Sequence, residues 1–187
     1  MPAAISFVHL RRATQIIHDG GVVAYPTEGV FGLGCDPDRH EAVLRILALK
    51  QRAVTAGLIL IAADREQLDG WINPSAVEEN ALADPGTFVT WVVTADRQCP
   101  VWITGGRTTC AVRITRHPIA AALCREADLP LVSTSANRHG QKAAASTLAV
   151  RRLFGQCVDF ILPGSTGGAA RPSEIRVART GAVLRPG

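Results

Sequence analysis

Apolar residues recur at helical spacing through Phe7, Leu10, Ala13, Ile16 and Ile17, which predicts a helix over 7–19 ended by Gly20-Gly21. Val22-Val23-Ala24-Tyr25 reads as a short buried strand stopped by Pro26, and 26–37 as a glycine-rich loop. Val43, Leu44, Ile46 and Leu47 restore the helical spacing and predict a helix over 40–50. The unbroken apolar run Leu58 to Ala62 predicts a central strand. Residues 64–83 read as mostly helical with a break near Asn73-Pro74, followed by strands over 88–94 and 110–115. His117-Pro118 opens a helix that runs to about Arg125. Leu131-Val132-Ser133 is a strand entering a polar loop, 146–154 a helix and 158–162 a strand. Residues 175–178 and 182–184 predict a closing hairpin around Thr180-Gly181.

Strands and helices intermix without strict β-α-β alternation. The expected fold is therefore α/β: a single domain over 1–187 with a twisted mixed β-sheet flanked by helices. The chain has 187 residues, 47% hydrophobic and 19% charged, a globular composition with enough length for a substantial core. No apolar run approaches the roughly 20 residues of a membrane span. Arg11 and Arg12 are followed by no long apolar stretch, so the expectation is a cytoplasmic protein that makes no use of a membrane. The five cysteines are odd in number and none are spaced C-x-x-C, which favours reduced thiols over disulfides or zinc.

A net charge of +4 suits anionic partners such as nucleotides or RNA. Of the twenty basic residues only Lys50 and Lys142 are lysine. Against such an arginine bias, a retained lysine raises the question of what a compact ammonium does there that a guanidinium would not.

Four segments carry candidate chemistry. Tyr25-Pro26-Thr27-Glu28-Gly29-Val30-Phe31-Gly32-Leu33-Gly34 leaves the end of a buried strand, where α/β proteins place ligands; an ordinary glycine-rich turn is the alternative. Lys50-Gln51-Arg52 ends a helix, and the pair either offsets the helix dipole or clamps phosphate. No Gly-Lys-Ser/Thr occurs, so a nucleotide site here is not a Walker loop. Ser133-Thr134-Ser135-Ala136-Asn137 sets hydroxyls and an amide after an apolar strand, as a self-bonded turn or as donors to a ligand. Arg113, inside the apolar strand Cys110 to Ile114, needs an anionic partner if buried. No triad, His-x-x-x-His or paired-carboxylate signature is readable, so neither a catalytic nucleophile nor a protein-held metal is expected.

In this order and spacing the segments resemble the YrdC/TsaC family of threonylcarbamoyl-AMP synthases, from Gly20 to Arg185. The resemblance implies a YrdC-like fold with an open cleft. It also implies a reaction in which L-threonine, bicarbonate and ATP give threonylcarbamoyl-adenylate and pyrophosphate. Thr27, Arg113, Ser133 and Ser173 would then contact threonine. Lys50, Arg52, Thr109, Ser135, Asn137 and Arg185 would hold ATP, with Mg2+ carried mainly by its phosphates. Proteins of a tRNA-modification complex would receive the product, and contact with tRNA or other RNA would be a further partner interaction. Two departures from the family pattern stand out. Ala53 replaces a proline after the Lys-x-Arg pair, and Asp84-Pro85-Gly86-Thr87-Phe88-Val89-Thr90 replaces Pro-Gly-Pro-x-Thr. The loop from Arg52 to Gly57 is the expected mobile element. The alternatives are an RNA-binding module without ATP turnover and, last, a carbamoyl-transfer domain like those within hydrogenase-maturation proteins.

Overall fold

The computed structural model describes residues 6–83, 88–138, 140–169 and 172–187. In chain order the elements are α1 (Phe7–His18), β1 (Val23–Pro26), β2 (Phe31–Gly34), α2 (His40–Lys50), β3 (Ile59–Ala62), α3 (Ala76–Leu82), β4 (Val89–Thr94), α4 (Val101–Thr104), β5 (Thr109–Ile114), α5 (Pro118–Ala127), β6 (Leu131–Ser135), α6 (Thr147–Phe154), β7 (Phe160–Ile161), β8 (Glu174–Val177) and β9 (Val183–Arg185). Among the described residues nine strands form one sheet in the order β7-β1-β2-β6-β3-β5-β4-β8-β9. β3 runs parallel to β5 and antiparallel to β6, so the sheet is mixed.

Alternation along the strands divides the core. Leu60 and Ala62 of β3 face one layer with Phe31, Val132 and the apolar sides of α2 and α6. Ile61 faces the other, with Tyr25 of β1 and residues Leu10, Ile17, Ile119 and Leu123 of α1 and α5. Because both faces are covered, the central strands read as continuous apolar runs. Side-chain caps mark the starts of α5 and α6. Ser146 accepts from the Ala149 N–H at 3.2 Å, and His117 caps α5 with Pro118 at its first position.

Three expectations need correction. The loop over 26–37 contains strand β2, whose glycines hide it. A Cβ on Gly34 would lie 2.4 Å from the Val132 carbonyl oxygen and 2.7 Å from the Tyr25 ring, so glycine there permits strands to approach closely. Residues 64–83 are helical in two short pieces, a 3-10 turn at Arg65–Leu68 and α3, and the break expected near Asn73-Pro74 widens to 69–75; the capping box of α3 joins Ser75 and Glu78. β6 runs through Ser133, as expected, and continues to Ser135, so Thr134 and Ser135 are strand residues as well. The closing hairpin is present, with β8 antiparallel to β9. Among the described residues no helix is long and apolar enough to cross a membrane.

Gly34→Ala should therefore destabilise the fold by about 2 kcal/mol through overpacking, seen as a lower urea midpoint. An unchanged midpoint would contradict the close-approach reading.

Candidate active site

A cleft of about 890 Å³ opens between the Thr27 loop, the end of α2, the ends of β5 and β6, and the C-terminal strand. Thr27, Lys50, Arg52, Arg113, Ser133, Ser135, Asn137, Ser173 and Arg185 all line it. Thr109 does not. It sits at the start of β5 opposite Thr94, four residues and roughly 13 Å along the strand from Arg113. Among the described residues the lining holds five cations, the fifth being Lys142, and no carboxylate.

The Lys-x-Arg pair reaches the cleft through a backbone device. Gln51 caps α2 in the left-handed conformation, φ 50°, and the chain turns so that Lys50 and Arg52 both face the cavity. Lys50 is buried, and its ammonium donates to Ser135 O at 2.7 Å, Asn137 O at 2.7 Å and Asn137 Oδ1 at 2.6 Å. An ammonium has three donors, and all are used. Burial, then the neighbouring Arg52 charge, lowers the Lys50 pKa to about 8. Asn137 is equally committed: its Oδ1 also accepts from Ser135 Oγ at 2.6 Å, and its Nδ2 donates to Arg138 O and Gln141 O. In this arrangement both residues hold the β6 turn in shape. Sequence order alone did not separate that task from direct contact with phosphate.

Arg113 is the buried cation of the opposite wall. Nη1 donates to Ser173 Oγ at 3.1 Å, Nη2 lies 3.6 Å from Glu28 Oε2, and the guanidinium carbon sits 5.2 Å from the Phe88 ring centroid. Arg113 Nε and Glu28 Oε2 are buried without a hydrogen-bond partner among the described residues. The other Glu28 oxygen accepts from Thr115 Oγ1 at 2.7 Å and the Arg116 N–H at 3.1 Å. Burial pushes the Glu28 pKa up. The Arg113 charge and these hydrogen bonds outweigh that effect and hold it below the ordinary carboxylate value. Thr90 is fully buried and 2.9 Å from Ser173 Oγ, so it backs Ser173 rather than lining the cleft. Asp84 to Thr87 of that segment lie outside the described residues.

Arg185 donates to the Ser173 carbonyl at 2.7 Å, and burial with the charges of Arg113 and Arg52 lowers its pKa. Arg52 donates to Ala56 O at 3.2 Å across the loop expected to move. That loop is held further by Arg107 Nη2 donating to Thr55 O at 2.8 Å. Ala53 has φ −68°, the value a proline ring imposes. Glu28 as partner of Arg113, Phe88 against its face, and Lys142 in the lining were not assigned from sequence. The buried arginine was the signal that a carboxylate had to lie nearby.

Comparison with known proteins bears on this geometry. Residues 15–187 match the family described as Sua5_yciO_yrdC, telomere recombination. The chain is 53% identical over 179 residues to a threonylcarbamoyl-AMP synthase of Nitrosococcus oceani, covering 94% of this chain and 96% of that one. It is similar to a doubly substituted P. abyssi Sua5 at TM-score 0.91 and 32% identity, covering 100% of this chain and 58% of that one. P. abyssi Sua5 complexed with L-threonine is similar at TM-score 0.80 and 34% identity, over 89% of this chain and 49% of that one. This chain thus spans only about half of that longer solved protein.

Two outcomes are expected. Ala53→Pro should stabilise the protein by about 0.5–1 kcal/mol by restricting the unfolded chain; a lowered melting temperature would contradict the backbone geometry. The Lys50 ammonium should titrate near pH 8 by nitrogen-detected NMR. Between that value and the ordinary 10.5 the folded protein binds fewer protons here than the unfolded chain, so Lys50's contribution to stability rises with pH across that window. A midpoint at 10.5 would remove this effect.

Proposed function

This chain belongs to the Sua5/YciO/YrdC family, and we propose that it is an enzyme making threonylcarbamoyl-adenylate from L-threonine, bicarbonate and ATP, for formation of N6-threonylcarbamoyladenosine in tRNA. The observation that carries this reading is Arg113. It is a buried guanidinium lining the cleft that spends one of its five donors on a hydrogen bond to a described residue, Ser173. A buried cation with spare donors beside the hydroxyls of Thr27, Ser133 and Ser173 suits the carboxylate and hydroxyl of threonine. The P. abyssi relative solved with L-threonine supports the same ligand. Arg52, Arg185 and the β6 turn line the same cavity and suit a nucleotide.

The chemistry needs no nucleophilic side chain. The threonine amine attacks the carbon of carbon dioxide, formed from bicarbonate by loss of hydroxide, and the amine proton leaves with that hydroxide as water, giving a carbamate. A carbamate oxygen attacks the α-phosphorus of ATP, and the bond to the β-phosphate oxygen breaks, releasing pyrophosphate. This makes the enzyme a nucleotidyltransferase. Its residues align the reactants and neutralise phosphate charge. The lining supplies no carboxylate among the described residues, so Mg2+ would be held mainly by phosphate oxygens, where it draws charge from them. Proteins that transfer the threonylcarbamoyl group to tRNA are the partners this product requires.

Pyrophosphate release should depend on both threonine and bicarbonate. Release independent of threonine, or none from folded protein, would overturn the reading. Arg113→Lys should lower kcat/KM for threonine about 30-fold, about 2 kcal/mol, because an ammonium cannot reproduce the fork. Near-native threonine kinetics in that variant would exclude the carboxylate role.

A further inference from the structure

We propose that Lys142 is a polyphosphate-capturing residue of the cleft, its ammonium taking the terminal phosphates of the nucleotide. The inference rests on the nucleotide reading above and adds a contact to it.

Four of the five lining cations are already engaged. Lys50 spends three donors on the β6 turn, Arg113 holds Ser173 and Glu28, Arg185 holds the Ser173 carbonyl and Arg52 that of Ala56. Lys142 lines the same cleft, is exposed, and makes no hydrogen bond or ion pair with a described residue.

Its backbone, in contrast, is pinned on both sides. Asn137 Nδ2 donates to the Gln141 carbonyl at 2.8 Å, and the Gln141 N–H to Arg138 O at 3.0 Å. The Ala144 N–H donates to Ala136 O at 2.9 Å, and the Ala144 carbonyl accepts from the Phe31 N–H at 2.8 Å. A flexible stem with a point charge thus stands on a fixed base, in a cleft whose described lining carries no anion. Such a group follows a phosphate chain through a range of positions, which a planar guanidinium fork does less well. It is also one of two lysines kept among twenty basic residues, the other being committed to the turn.

Two sources share this chemistry: the triphosphate end of incoming ATP and the pyrophosphate that leaves. Calorimetric titration of wild type, Lys142→Ala and Lys142→Arg with ATP, AMP, adenosine and pyrophosphate separates them. Lys142→Ala should weaken ATP about tenfold or more and leave AMP and adenosine unchanged, with Lys142→Arg between the two. Weakened pyrophosphate binding as well would extend the contact to the product; unchanged pyrophosphate would confine it to the nucleotide. ATP affinity equal in wild type and Lys142→Ala overturns the proposal while leaving the enzyme reading intact. Wild type that binds no ATP overturns both. The residue is exposed, so an unchanged melting temperature certifies the variant's fold.

Discussion

The buried ammonium of Lys50 joins the end of α2 to the turn after β6, and the shape of the cleft depends on that junction. Removing an ammonium from water is costly unless its donors are satisfied. Here two backbone carbonyls and the Asn137 amide oxygen satisfy all three. The same Asn137 reaches Gln141 with its other side-chain atom. One charge therefore orders α2, β6 and the loop carrying Lys142 together. The left-handed residue Gln51 ends the helix just after Lys50, and Arg52 beyond it lines the same cleft.

The opposite wall follows a different electrostatic logic. Arg113 is buried in a strand beside a carboxylate it approaches only to 3.6 Å. Glu28 is anchored instead by Thr115 and the Arg116 N–H, so it tempers the guanidinium's charge without consuming its donors. Ser173 is fixed from behind by Thr90 and carries the Arg185 contact through its carbonyl. Arg113 and Ser173 are thus flanked by Glu28, Thr115 and Thr90, none of which lines the cavity. Positioning of that kind suits a reaction whose barrier is lowered by alignment and charge neutralisation.

Much of the site was legible because it follows strand ends. Val22 to Tyr25, Leu58 to Ala62 and Leu131 to Val132 are apolar enough to mark themselves, and polar residues following the first and third of these runs line the cleft. β2 was illegible for a physical reason: Gly32 and Gly34 weaken the strand pattern and imitate a loop, and at Gly34 the neighbours approach too closely for a Cβ. Thr109 stands apart from the other candidates. It shares a strand with Arg113, but strand geometry carries it away along the sheet instead of into the cavity.

By itself the sequence determined the class of fold, most element positions and a set of polar residues whose order resembles one family. These are local or periodic properties, readable because alternation and helical spacing report burial directly. Only the tertiary structure decided what each polar group does. Among the described residues it showed Lys50 and Asn137 spent on a turn, Arg113 with spare donors, and Lys142 without a side-chain partner on a fixed base. A side chain's role depends on which acceptors surround it, and for Lys50 these include a residue 87 positions away in the chain.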